Sequence, residues 1–73
     1  MRDVEIDSEP VELYKILKFE GLVSSGGEAK TVITNGEVIV NGAVETRKRK
    51  KMMSGDILEF ADEKIRLIRT AMH

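Results

Sequence analysis

Cysteine and tryptophan are absent from this 73-residue sequence, and its one histidine is residue 73. Without cysteine there is no disulfide, no thiolate metal site and no cysteine nucleophile. A single imidazole supports neither a histidine metal cluster nor a catalytic triad, so no metal and no cofactor are expected. Aromatic residues are few, one tyrosine and two phenylalanines, which leaves little for stacking along an unpaired strand. No uncharged run exceeds seven residues. A membrane-spanning helix needs about twenty apolar residues, so no membrane partner is expected. The opening Met1-Arg2-Asp3-Val4-Glu5 carries acids where a secretory leader would be apolar, and a cytoplasmic location follows as the expectation. Ser24-Ser25 has no accompanying base to make either hydroxyl a nucleophile. Enzymatic chemistry is not expected.

What is present is charge, and it is unevenly spread. Charged residues make up 34% and apolar residues 41%, the balance of a globular chain rather than a disordered one. At this size one domain spanning residues 1–73, close to the lower limit for an independent core, is expected. The formal net charge is −1, which taken as a whole argues against a polyanionic ligand. Residues 1–14, however, hold Arg2 against Asp3, Glu5, Asp7, Glu9 and Glu12, a balance of −4. Residues 45–51 hold Glu45 against Arg47, Lys48, Arg49, Lys50 and Lys51, a balance of +4. Binding to a polyanion depends on the field of one face, so a segregated chain of near-zero charge is able to do it.

The alternation in Arg2-Asp3-Val4-Glu5-Ile6-Asp7 predicts a first strand with Val4 and Ile6 facing inward. Pro10 suits a first helical turn, where its missing N–H costs nothing, and predicts a helix over about Pro10 to Glu20. Leu13, Ile16 and Leu17 give that helix an apolar stripe, leaving Lys15 and Lys18 outward. Tyr14 is expected to pack toward the sheet. Gly21 is placed to close it. Ser25 with Glu28 three residues on forms a capping box and starts a second helix, Gly26 to Asn35, whose inner face is Ala29, Val32 and Ile33, with Gly36 as its exit. Gly26 and Gly27 leave backbone N–H groups uncovered at that helix N-terminus, where an anion binds readily. Two helices joined by so short a link form an αα-hairpin. Asn41-Gly42 between β-prone residues predicts a type I′ hairpin with strands at about 38–40 and 43–46. After the basic run, Met52 and Met53 read as core filler and sheet edge. Ser54-Gly55-Asp56 reads as a turn, and 57–60 and 64–68 as two further strands. Residues 70–73 read as a frayed end.

Taken in order, Glu20-Gly21-Leu22-Val23-Ser24-Ser25, Glu28-Ala29-Lys30, Ile33, Asn35-Gly36-Glu37-Val38-Ile39-Val40-Asn41-Gly42 and Ser54-Gly55-Asp56 resemble the alpha-L RNA-binding motif family, whose domain is named after ribosomal small-subunit protein S-four. The resemblance covers about residues 13–60 and is nearest to the small bacterial members made of little besides this domain. It implies an α+β fold, a two-helix hairpin packed on a small bent antiparallel sheet of about four to five short strands. It also implies binding of structured RNA, ribosomal RNA or another ribosome-associated RNA; a monomer is the separate expectation for so small a chain. The implied RNA-binding residues are Lys15 and Lys18 on the first helix, Ser25, Gly26 and Lys30 at the start of the second, Asn41 and Gly42 at the hairpin tip, and Arg47, Lys48, Arg49, Lys50 and Lys51. Glu12 and Gly26 stand where many members carry arginine, which shifts weight onto residues 47–51.

Two other classes of function compete. A helix pair of this kind superficially resembles a helix-turn-helix, but its second helix offers only Lys30 and Asn35 as base readers and no arginine. A protein-interaction module with a protein partner is the other alternative, and the acidic face of residues 3–12 is open to two readings, docking a partner or simply orienting the domain. A ubiquitin-like sulfur carrier is disfavoured because the sequence closes Ala71-Met72-His73 rather than Gly-Gly.

Overall fold

A computed structural model of the chain describes residues 1–70. The elements run β1 (Arg2–Ile6), β2 (Val11–Glu12), α1 (Leu13–Phe19), α2 (Gly26–Thr34), β3 (Val38–Val40), β4 (Ala43–Val44), β5 (Lys51–Met52), β6 (Ile57–Phe60) and β7 (Glu63–Arg69). Five strands form one sheet in the order β1-β7-β6-β3-β4, and β2 pairs with β5 as a separate two-stranded ribbon. The fold is the α+β arrangement expected, a helix pair on a small sheet. That sheet is antiparallel except at one edge, where β1 runs parallel to β7. Parallel neighbours need a long crossover, and here nearly the whole intervening chain supplies it.

The helices end by the same device. At α1, Gly21 N–H donates to the Lys18 carbonyl and Leu22 N–H to that of Leu17; at α2, Gly36 and Glu37 donate to Ile33 and Val32. Each is a Schellman closure, which needs a left-handed residue after the last turn, and Gly21 and Gly36 supply it at φ 72° and 80°. The Asn41-Gly42 turn takes positive φ at both residues, 52° and 86°, joining β3 to β4 in the register Val40↔Ala43.

The start of α1 departs from expectation. It begins at Leu13, three residues after Pro10, because Val11 and Glu12 are extended and pair with Met52 and Lys51. Proline's fit to a first turn is a local preference, and the tertiary pairing overrides it. Neither β2 nor β5 is legible in the sequence, since two-residue strands carry no periodicity. Strand β4 stops at Val44, short of the expected residue 46. Thr70 is not frayed: its N–H donates to the Ile6 carbonyl at 2.9 Å. Residues 71–73, expected to fray, and the histidine with them, lie outside the described residues.

The core lies between the helix pair and the inner sheet face. Leu13, Leu17, Ile33, Val38, Met52, Leu58, Ile65 and Leu67 are essentially fully buried, joined by Val4, Ile6, Ile16, Val23, Ala29, Val32 and Val40. Met52 fills the core while Met53 is exposed, as expected. No polar side chain is buried among the described residues, so this core is purely apolar and everything able to carry function lies on the surface.

Candidate nucleic-acid interface

The basic segment is fixed to the fold through its backbone. Glu12, the residue before α1, makes no side-chain cap, which leaves the first N–H groups of the helix in need of acceptors. The basic segment supplies them: Leu13 N–H donates to the Lys50 carbonyl at 2.9 Å and Tyr14 N–H to the Lys48 carbonyl at 3.1 Å. The chain turns at Lys48-Arg49, with Lys50 N–H donating to the Arg47 carbonyl at 3.2 Å. Carbonyls thus face the helix dipole while side chains at 48 and 49 point to solvent, both exposed.

Around this junction cations from three segments converge on one ring. Lys30 Nζ lies 4.7 Å from the Tyr14 ring centroid, and Lys15 Nζ and Arg49 Cζ each lie 6.0 Å away. These are cation–π distances, and such a contact contributes about 0.5–1 kcal/mol at an exposed site. Tyr14 also rests on the start of α2, where a Cβ added to Gly26 would sit 3.9 Å from the ring. Tyr14 packs against the core, as expected, and also carries these cations. The ring is thus half-buried against the core while Lys30, Lys15 and Arg49 gather on it. The spacing of Tyr14 from Lys15 and Lys18 was visible in the sequence, but the approach of Lys30 and Arg49 exists only in the fold. Beside this cluster a shallow groove of about 210 Å³ is lined by Lys30, Thr31, Thr34, Asn35 and Lys48. Lys18, on the same helix one turn beyond Tyr14, is exposed.

The start of α2 is less open than the sequence suggests. Ser25 Oγ accepts from Glu28 N–H at 3.1 Å, one half of the expected capping box. The other half is shifted by one residue: Glu28 Oε1 accepts from the backbone N–H of Ser24 at 2.8 Å and from its hydroxyl at 2.7 Å. These bonds from Ser24 hold the Glu28 carboxyl below its ordinary pKa. A carboxylate therefore already sits at this helix end, and Ser25 is occupied as a cap.

Four expected site residues are committed elsewhere, at least in part. Lys15 Nζ pairs with Glu12 Oε1 at 3.5 Å. Arg47 makes a two-pronged pair with Glu45, Nε to Oε2 at 2.9 Å and Nη2 to Oε1 at 3.1 Å, and its backbone N–H donates to the same carboxylate at 3.0 Å. The guanidinium, above all through its hydrogen bonds, holds the Glu45 carboxyl down to about 2, so one cation of the run of five is neutralised on the spot. Asn41 uses its side-chain amide to donate to Asp56 Oδ1 at 3.0 Å and its carbonyl to accept from Ile57 N–H at 2.8 Å. Asp56 in turn accepts from Met53 N–H at 2.9 Å. The Asn-Gly tip and the Ser-Gly-Asp turn are thus one structural unit, with Gly42 exposed at its end. Lys51 sits in β5 opposite Glu12 and lines a different groove, together with Val4 and Phe19. What the fold gathers onto one face is Lys15, Lys18, Lys30, Lys48 and Arg49, with Gly26 beneath the ring and half-buried Lys50 next to it.

Comparison with known proteins follows this geometry. The sequence profile of the S4 domain matches residues 4–68, wider than the stretch 13–60 that carries the resemblance. YbcJ of Escherichia coli (strain K12) is 47% identical over 58 residues, 80% of this chain and 83% of that protein. The solution structure of YbcJ, described as revealing an αL motif involved in RNA binding, superposes with a TM-score of 0.71 at 42% identity, covering 93% of this chain and 87% of that one. A Bacillus subtilis (strain 168) protein named as a probable ribosome maturation protein, RlbA, is 36% identical over 57 residues, 78% of this chain and 80% of its own. The helix pair, the capped basic segment and a profile match over nearly the whole described chain agree, and the chain belongs to the S4-domain family.

Proposed function

We propose that this protein binds structured RNA without catalysing a reaction on it, through the face where α1, the start of α2 and the turn at Lys48-Arg49 meet. The observation that carries this reading is the seating of the basic segment on α1: the Leu13 and Tyr14 N–H groups hold its carbonyls, which brings cations from three segments around Tyr14. Lys18, Lys30, Lys48, Arg49 and Lys50 enter no ion pair among the described residues, so their charges are available to phosphates. Phosphate neutralisation releases condensed counterions and supplies affinity. A rigid surface of two helices and a turn suits the shape of a folded RNA better than the edge of one base. The description of YbcJ as carrying an RNA-binding motif supports this reading.

The RNA is ribosomal in this proposal, and the name of RlbA, a probable ribosome maturation protein, is what supports that choice. The experiment is fluorescence anisotropy with a labelled ribosomal RNA hairpin and a DNA duplex of equal length, across a salt series. The five unpaired cations of this face, Lys18, Lys30, Lys48, Arg49 and Lys50, correspond to a slope of log affinity against log salt of about −4 to −5, with the RNA preferred. Absence of RNA binding at low salt, or equal affinity for the DNA duplex, would reject the reading.

A further inference from the structure

The opposite side of α1 carries a second surface, unlike the first in charge and in shape. Strand β1 is the last strand of its sheet, so one of its edges has no partner strand. The hydrogen bonds identify which groups face outward. Thr70 N–H donates to the Ile6 carbonyl, and the parallel register aligns Ile6 with Arg69 and Val4 with Leu67. In a parallel ladder a residue's N–H and C=O point to the same side and alternate along the strand, so Val4 and Ile6 face β7, while Asp3 and Glu5 turn theirs away from it. On β7 itself, Leu67 exchanges bonds with Asp56 and Gly55 on the far side, which fits the same alternation.

That free edge borders a groove of about 800 Å³ between β1, β2 and α1. Consecutive residues Val4 to Ser8 line it. Side chains alternate between faces, so an unbroken run along the wall means that the backbone edge itself borders the groove. Its apolar wall includes Ile16 and Phe19, and Phe19 is 70% exposed although it is one of only three aromatic residues in the chain. The charged residues of the lining are Glu5, Asp7, Glu12 and Glu20 against Lys15 and Lys51. Glu5 and Asp7 enter no ion pair among the described residues. An open strand edge is a template for a further strand, and an acidic rim selects a cationic one.

We propose that this groove takes up an extended, lysine- or arginine-rich segment of a partner protein, which adds a strand beside β1 and seats an apolar side chain against Phe19. Of the cations around Tyr14 only Lys15 also lines this groove, so the two surfaces meet at that residue, and the proposal stands whether or not the protein binds RNA. The test uses the isotope-labelled full chain without RNA and a short, end-capped peptide of alternating lysine and valine, with a glutamate–valine peptide as control. The expected result is amide shifts confined to residues 2–8 and Phe19, several-fold slower hydrogen exchange at Asp3 and Glu5, and weakening as salt rises. Glu5→Lys and Phe19→Ser, both exposed positions, should each weaken peptide binding several-fold while leaving RNA affinity unchanged. Equal binding of the acidic peptide, shifts centred on the other edge at Ala43–Val44, or no binding would overturn the proposal. So would concentration-dependent shifts of β1 in the free protein, which would make a second copy of this chain the occupant.

Discussion

Removing an acid from the basic segment tests whether its five cations are equivalent. The sequence gives no reason to separate Arg47 from Lys48 or Arg49, but in the fold the Glu45 carboxylate takes the Arg47 guanidinium at 2.9 and 3.1 Å. Glu45→Gln removes that negative charge, raises the local balance of residues 45–51 from +4 to +5 and frees Arg47 for phosphate. One added phosphate contact steepens the salt dependence of binding by about 0.9. If that contact acts through counterion release alone, affinity for RNA rises about fivefold at 0.15 M salt and about fifteenfold at 0.05 M. Arg47→Gln should leave the slope nearly unchanged, since a guanidinium held by Glu45 makes no phosphate contact, and the carboxylate it unmasks should lower affinity less than loss of Arg49 does, whereas Arg49→Gln should flatten the slope by about 0.9. The Arg47 side chain is exposed while that of Glu45 is only 12% exposed, so Glu45→Gln costs some stability, and melting curves of all three variants check that binding is read on folded protein. The readout is anisotropy against a folded RNA at several salt concentrations. Weaker binding by Glu45→Gln, or an equal loss in Arg47→Gln and Arg49→Gln, would refute the reasoning.

Other outcomes follow from the same geometry. Leu17 and Ile33 are fully buried, and truncating either to alanine should cost about 2–5 kcal/mol. A chain this size has roughly 4–11 kcal/mol in all, so thermal melts should show either variant near the limit of folding. The Glu45 carboxyl titrates near 2 in the fold against an ordinary 4.5. Its contribution to stability is therefore full above about pH 4.5 and is lost as pH falls toward 2, and Glu45→Gln should flatten acid unfolding in that window. Tyr14→Leu should weaken RNA binding about two- to fivefold, the equivalent of about 0.5–1 kcal/mol of cation–π interaction, while Tyr14→Phe keeps affinity because the ring face remains. Asn41→Ala removes the bonds to Asp56 and Ile57 and should lower stability by about 1–3 kcal/mol, measurable by urea denaturation.

Features set by neighbouring residues were legible before the fold was. The alternation around Val4 and Ile6, the Ser25 cap, the glycines after each helix and the Asn-Gly turn all depend on a few consecutive residues, and each stands where the pattern puts it. What the sequence withheld depends on partners far along the chain. Pro10 invites a helix that does not start there, because Met52 and Lys51 hold Val11 and Glu12 extended. Asn41 reads as a turn former, yet its side chain is spent on a turn 15 residues away. The candidate site divides in the same way. Lys15 and Lys18 follow from helical spacing, whereas the gathering of Lys30 and Arg49 on Tyr14 requires the basic segment to be seated on α1. The Glu45–Arg47 pair, though its members are two residues apart, likewise emerges only in the fold.

The central claim, that one face formed by α1, the start of α2 and the turn at Lys48-Arg49 engages folded RNA, is tested most directly by an amide NMR titration. The labelled protein is titrated with a ribosomal RNA hairpin at low salt, and again with duplex DNA. The account predicts shifts for RNA clustered on Tyr14, Lys15, Lys18, Gly26, Lys30, Lys48 and Arg49, with Asn41 and Arg47 little affected. Silence across those residues, or shifts centred on the acidic groove beside β1, would contradict it.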